Sequence, residues 1–104
     1  MFKSNLKLGA RTYTIVKCSP KENTIFTEHD DAYGYIDYAS SQIFIRNDID
    51  IQFQIETLLH ELLHGLLDNS GVEGINTDML AKVLAPRLHA FLIDNPNFQS
   101  DIIK

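Results

Sequence analysis

Cysteine is almost missing from this chain. Cys18 is the only one among 104 residues. An intrachain disulfide is therefore excluded, and Cys18, inside a β-like run, reads as a small buried hydrophobe. No apolar run near the start, "MFKSNLKLGARTY", is long enough for a signal peptide or a membrane span. A reducing, cytoplasmic location is the resulting expectation. Basic blocks are missing as well. Nine Lys and Arg stand against fourteen Asp and Glu, a formal net charge of −5, which argues against nucleic acid or an anionic membrane as partner. There is no low-complexity tract, no internal repeat and no linker. The length suits one domain over 1–104, with a single modest core.

What is present divides into a β-like first half and a helical second half. "RTYTIVKC", Arg11 to Cys18, alternates and is rich in β-branched and aromatic residues, which predicts a strand. Gly9-Ala10 turns into it from a short strand at Asn5 to Leu8. "SPKENT" and "EHDDAYG" are loops by composition. "YGYIDYASSQIFIR" predicts a hairpin: Tyr35 to Tyr38, a polar turn at Ser40-Ser41, then Gln42 to Arg46, with Ile43 and Ile45 on one face and Phe44 on the other. Asn47, Asp48 and Asp50 are N-cap candidates for a helix beginning near Ile51.

From Ile51 the period becomes helical: Ile51, Ile55, Leu58, Leu59, Leu62, Leu63 and Leu66 recur at that spacing, and "DNSG" stops the helix, with Gly71 expected at positive φ. Asn76 or Thr77 can cap a second helix. Its apolar positions Leu80, Val83, Leu84, Leu88, Phe91 and Leu92 share a face, the expected core face. Pro86 inside that run predicts a kink or an early first turn, and Asn95-Pro96 ends the helix.

Chemistry concentrates in "HELLHGLLDNSG", residues 60–71. At about 100° per residue, the Leu and Ile positions gather on one side, and Thr57, His60, Glu61, His64, Gly65 and Asp68 fall opposite. His60 and His64 are one turn apart and about 40° around the axis, so both imidazoles can point at one ion. Glu61 is rotated away from that ion yet can reach water beside it. Two helix-borne histidines and a carboxylate that removes a proton from water make up the zincin arrangement. A polar flank on an ordinary Leu-rich helix would explain the same letters. Against it stands Gly65, directly after the second histidine, which costs roughly 1 kcal/mol relative to Ala in a helix interior and suits a close approach by a backbone or a substrate. A catalytic zinc needs a third protein ligand. Asp68, Glu73, Asp78, His89 and Asp94 lie downstream: Asp68 is four residues beyond His64 on the same flank, Glu73 is in the loop after the helix, and a second helix returning antiparallel could present Asp78. His89 lies about 16 Å along the helix from Asp78, so the two cannot both be ligands.

The stretches "GYIDYASSQIFI", "TLLHELLHGLLDNSG" and "NTDMLAKVLAPRLHAFLIDNPNF" together resemble the small gluzincin-like HExxH metallopeptidase domains of phages and prophages, distant relatives of the ImmA/IrrE-type peptidases. The resemblance covers roughly residues 33–98. It implies a third ligand at the start of the second helix, a few residues before Leu84-Ala85, which is Asp78 here. This is a departure, because those domains usually carry Glu there. Glu73 is the reserve. The resemblance also implies an edge strand beside the helix that receives an extended peptide, for which Gln42 to Arg46 is the candidate. It implies too an oxyanion-stabilising Tyr or His from among Tyr33, Tyr35, Tyr38 and His29.

The expectation is thus a minimal zincin-like α+β domain, with a small, mostly antiparallel three- to four-stranded sheet packed on two long helices. Its function would be that of a zinc metalloendopeptidase, cleaving protein or peptide in extended form through a zinc-activated water. His60, His64 and Asp78 would hold Zn2+, and Glu61 would be the general base. The alternative is a phage-type metal-binding interaction module without significant hydrolysis.

Overall fold

The structure is a computed structural model that describes residues 5–8, 10–23, 26, 32–68, 76–98 and 100. Four strands come first: β1 (Asn5–Leu8), β2 (Arg11–Cys18), β3 (Gly34–Asp37) and β4 (Gln42–Arg46). Two helices come next, α1 (Ile51–Asp68) and α2 (Thr77–Asp94). This is an α+β fold with one open sheet in the order β1-β2-β4-β3. The outer pairings are antiparallel, and β2 and β4 run parallel, with Ile15 opposite Ile43. The chain leaves β2, reaches the far edge as β3, and turns back to fill the gap as β4.

Alternation decides which residues of the sheet are buried. Tyr13 and Ile15 of β2, Ile43 and Ile45 of β4, Ile36 of β3 and Leu8 of β1 form the core cluster, and Leu58 and Leu62 of α1 pack on it. Phe44 points the other way and is half-buried. Cys18 is buried, and burial pushes its thiol pKa up, as an inert structural cysteine requires. The turn between β3 and β4 is held by the Asp37 carboxylate, which accepts from the backbone N–H groups of Ala39 and Ser40, and Ser41 takes φ 56°.

Of the cap candidates, Asp50 begins α1: its Oδ1 accepts from Phe53 N at 2.9 Å. Asn76 begins α2, with Oδ1 accepting from Met79 N at 3.0 Å, and Asn95 closes it with N–H to Phe91 O. Helix α2 runs on through Pro86, which excludes an early first turn there. Gly71 lies outside the described residues. No helix among those described is long and apolar enough to cross a membrane.

The layering corrects both helical faces. Helix α1 lies between the sheet and α2, so its supposedly polar side is covered: Gln54, Thr57, Glu61 and Gly65 are buried. A Cβ on Gly65 would meet Leu8 Cδ1 at 2.8 Å and Ile36 Cδ1 at 3.3 Å. The expected approach by a backbone or a substrate is therefore corrected: what crowds this glycine is side chains of the sheet. Helix α2 meets α1 through Ala81, Ala85 and His89, which are its buried residues. Its expected core face is turned outward: Val83, Leu84, Leu88, Phe91 and Leu92 are exposed and Leu80 is half-buried. Small residues let two helix backbones approach closely, and that contact overrides the larger apolar stripe.

Candidate metal centre

His60 and His64 stand on consecutive turns of α1, both half-buried, with ring centroids 4.9 Å apart in an edge-to-face arrangement. The start of α2 comes to them. Asp78 lies in the first turn of α2, just after the Asn76 cap, and its Oδ1 is 3.3 Å from His64 Nε2 and 3.6 Å from His60 Nε2. At the other end of the helix pair, His89 Nε2 meets Gln52 Oε1 at 3.0 Å, and His89 Nδ1 lies 3.7 Å from Glu56. The two helices are therefore antiparallel, and Asp78 and His89 sit at opposite ends of their contact. His89 is buried and takes no part in the His60–His64–Asp78 group.

One carboxylate oxygen facing two imidazole nitrogens is a demanding geometry. Ligands about 2.0–2.1 Å from a tetrahedral zinc lie roughly 3.4 Å from each other. The separations of 3.3 and 3.6 Å match that edge length, and the three ligand atoms all lie within 4.8 Å of one another. Two imidazoles and one carboxylate could together hold a divalent metal ion. Burial, then repulsion from His64, holds the His60 pKa below its ordinary value despite the nearby Asp78, so the neutral imidazole that a metal needs is favoured. The second oxygen, Asp78 Oδ2, is 3.0 Å from Lys82 Nζ, and this hydrogen bond is the main reason the Asp78 pKa is lowered. Lys82 thereby turns Oδ1 toward the histidines. Sequence reasoning passed over Lys82, although its i,i+4 spacing from Asp78 was the available signal.

Comparison with protein-family models, curated proteins and solved structures finds no match. Function therefore has to be argued from the site itself.

Glu61 is only 7% exposed. Burial, and then the negative charge of Asp78, push its pKa up to about 7, partly offset by a hydrogen bond from the Ile36 backbone N–H. A carboxyl group poised near neutrality can both take and return a proton. Strand β3 sets its position. Arg46 N donates to Tyr33 O at 2.9 Å. By the two-residue alternation of an antiparallel ladder, Gly34 and Ile36 then direct their backbone groups away from β4, toward α1. Gly34 permits the approach: a Cβ there would lie 2.6 Å from Thr57 Cγ2 and 3.2 Å from Glu61 Cγ. Gly34→Ala is expected to destabilise the chain by about 1–3 kcal/mol through overpacking. Adding Thr57→Ser, which removes the offending methyl, should recover part of the loss in urea unfolding. Equal stability of Gly34→Ala and parent would contradict this close packing.

The edge-strand expectation needs correction. Gln42–Arg46 is β4, paired on both sides, and the strand at the α1 edge is β3. β3 and the residues flanking it form one wall of a cleft of about 540 Å³ over the His60–His64–Asp78 group, and Tyr33, Tyr35 and Tyr38 all line it. His29 and Glu73 lie outside the described residues, and of Asp68 only the backbone is described.

Proposed function

We propose that this chain is a zinc-dependent metallopeptidase. The observation that supports the reading most is the convergence of His60 Nε2, His64 Nε2 and a single oxygen of Asp78, with the buried carboxyl of Glu61 on the same helix stripe and the same cleft. The HExxH resemblance to small phage-type gluzincin-like domains agrees with it. His60, His64 and Asp78 would hold the ion. Zinc in such a setting supplies Lewis acidity toward a carbonyl and acidifies water.

The chain's own groups handle the protons. Glu61 takes one from the attacking water as its oxygen bonds to the peptide carbon. It returns that proton to the amide nitrogen as the C–N bond breaks, leaving Glu61 ionised again. The cleft runs along α1 between β3 and α2, a shape that suits a peptide in extended form.

Protein purified without added metal is expected to contain about one zinc per chain. It should also cleave an unstructured protein such as casein, with loss of activity on chelation and recovery on adding zinc. Absence of bound zinc at stoichiometric supply would refute the reading. Zinc binding without cleavage of any peptide would favour the second reading, a metal-binding interaction module, for which the exposed Val83, Leu84, Leu88 and Phe91 of α2 offer a contact face.

A further inference from the structure

The far end of the cleft holds a feature that the proton chemistry does not use. Phe53 and Tyr33 stand together there, ring centroids 4.7 Å apart and planes tilted by 47°. Both rings are open to the cleft, Phe53 37% and Tyr33 39% exposed. Tyr33 is further held by a cation. The Arg46 guanidinium lies 5.4 Å from the Tyr33 ring centroid and is itself fixed on Asp48 by two bonds, Nε to Oδ1 at 2.9 Å and Nη2 to Oδ2 at 2.7 Å. Such a clamp preorganises the wall, which lowers the ordering cost of binding. Ala85 and Pro86 of α2 line the same cleft. Two exposed rings in an open cleft offer apolar, ring-stacking surface to a third ring. Glu56 is also in the lining and disfavours an acidic side chain.

Position along the helix sets the distance to the metal-ligand group. Phe53 and His60 belong to one cleft-facing stripe of α1, seven residues apart, which is about 10.5 Å of helix axis. An extended peptide rises about 3.3 Å per residue. We infer that the cleft contains a subsite for an aromatic side chain of a bound peptide, walled by Tyr33 and Phe53. Its occupant lies about three residues from the peptide bond at His60 and His64. The second half of this statement rests on the peptidase reading; the subsite itself does not.

The chain has no tryptophan, so a tryptophan-containing peptide is its own reporter. The probe is an end-blocked alanine pentapeptide with one central Trp, added to metal-free protein. Emission of the probe should shift to the blue on binding. Phe53→Ala and Tyr33→Ala should each weaken that binding about tenfold or more, as loss of a wall for a buried aromatic group implies. Phe53 is partly exposed, so its truncation leaves the sheet core intact. Binding unchanged in both variants, or no binding by the parent, overturns the subsite.

A second arm uses zinc-loaded protein and alanine-rich peptides with a single Phe moved along the chain. Cleavage at a constant offset of about three residues from Phe supports the assignment, and cleavage unrelated to the position of Phe overturns it. If the Trp peptide binds in a Phe53-dependent way while no peptide is ever cleaved, the subsite stands and the peptidase reading fails.

Discussion

Glu61→Gln is expected to stabilise the metal-free chain at pH 8 by about 3 kcal/mol while abolishing hydrolysis in the zinc-loaded one. The stability half comes from linkage. The Glu61 pKa rises from 4.5 to about 7 on folding, chiefly through burial. Below 4.5 the carboxyl is neutral in both folded and unfolded chains and costs nothing. As pH rises through about 7, the folded chain must carry a buried charge that the unfolded chain leaves in water. Stability is therefore lost across this window, by about 3 kcal/mol at roughly 1.4 kcal/mol per pH unit. Glutamine keeps the shape and can still accept from Ile36 N–H, so its stability should not change with pH on this account. The gain should shrink toward zero as pH falls to about 4.5. In a domain of this size it corresponds to a rise in Tm of about 12–24 °C at pH 8. The activity half comes from losing the proton acceptor: hydrolysis should fall on the order of 10² or more, with zinc content unchanged. A Glu61→Gln protein no more stable than parent at pH 8 would contradict the burial argument. Retained cleavage would contradict the proton assignment.

His64→Ala should reduce zinc affinity at least about a hundredfold, beyond the ten- to hundredfold typical for an outer-shell partner. Asp78→Asn should weaken zinc binding as well, and Glu73→Gln and Asp68→Asn should not. Zinc retained by Asp78→Asn but lost on changing Glu73 or Asp68 would move the third ligand without touching the histidines. None of these substitutions should unfold the chain, because its core is built from Tyr13, Ile15, Ile36, Ile43 and Ile45, none of which belongs to the metal-ligand group. Chelated parent protein should keep a cooperative thermal transition. Zinc at about a hundred times its Kd should add about 2.7 kcal/mol, and His64→Ala should lose that increment. Loss of cooperative unfolding on chelation would instead identify a structural zinc.

The pH behaviour of the two ligand helices is coupled to this. The lowered His60 pKa means that His60 contributes stability above its ordinary pKa of 6.5, lost as pH falls through its lower folded value. Acid should therefore weaken zinc retention before it unfolds the sheet. Measuring zinc release and far-UV circular dichroism on the same titration checks the order; coincident transitions would show that fold and site are one unit.

Local pattern determined much of this protein. Alternation in "RTYTIVKC" and "QIFIR" placed β2 and β4 at their observed bounds, and the shift to a 3.6-residue period at Ile51 placed α1. The H-E-x-x-H spacing put two imidazoles on one helix flank, because consecutive turns stack side chains four residues apart. These features depend on neighbours within a turn or a pleat, and the chain carries them wherever it goes. Other features depend on what lies across from an element, which periodicity does not encode. A wheel reports which residues share a face, never which face is covered. Helix α1 is covered on two sides, so its polar stripe of Gln54, Thr57 and Glu61 is buried and the Glu61 pKa rises. Helix α2 meets α1 through Ala81 and Ala85, because small side chains allow the closer approach, and its larger apolar residues are left outside. Strand β4 enters between β2 and β3, and only that pairing makes β3 the edge beside Glu61. The meeting of Asp78 with His60 and His64, and of Tyr33 with Phe53, was likewise decided in three dimensions, since each joins residues that local periodicity treats as independent.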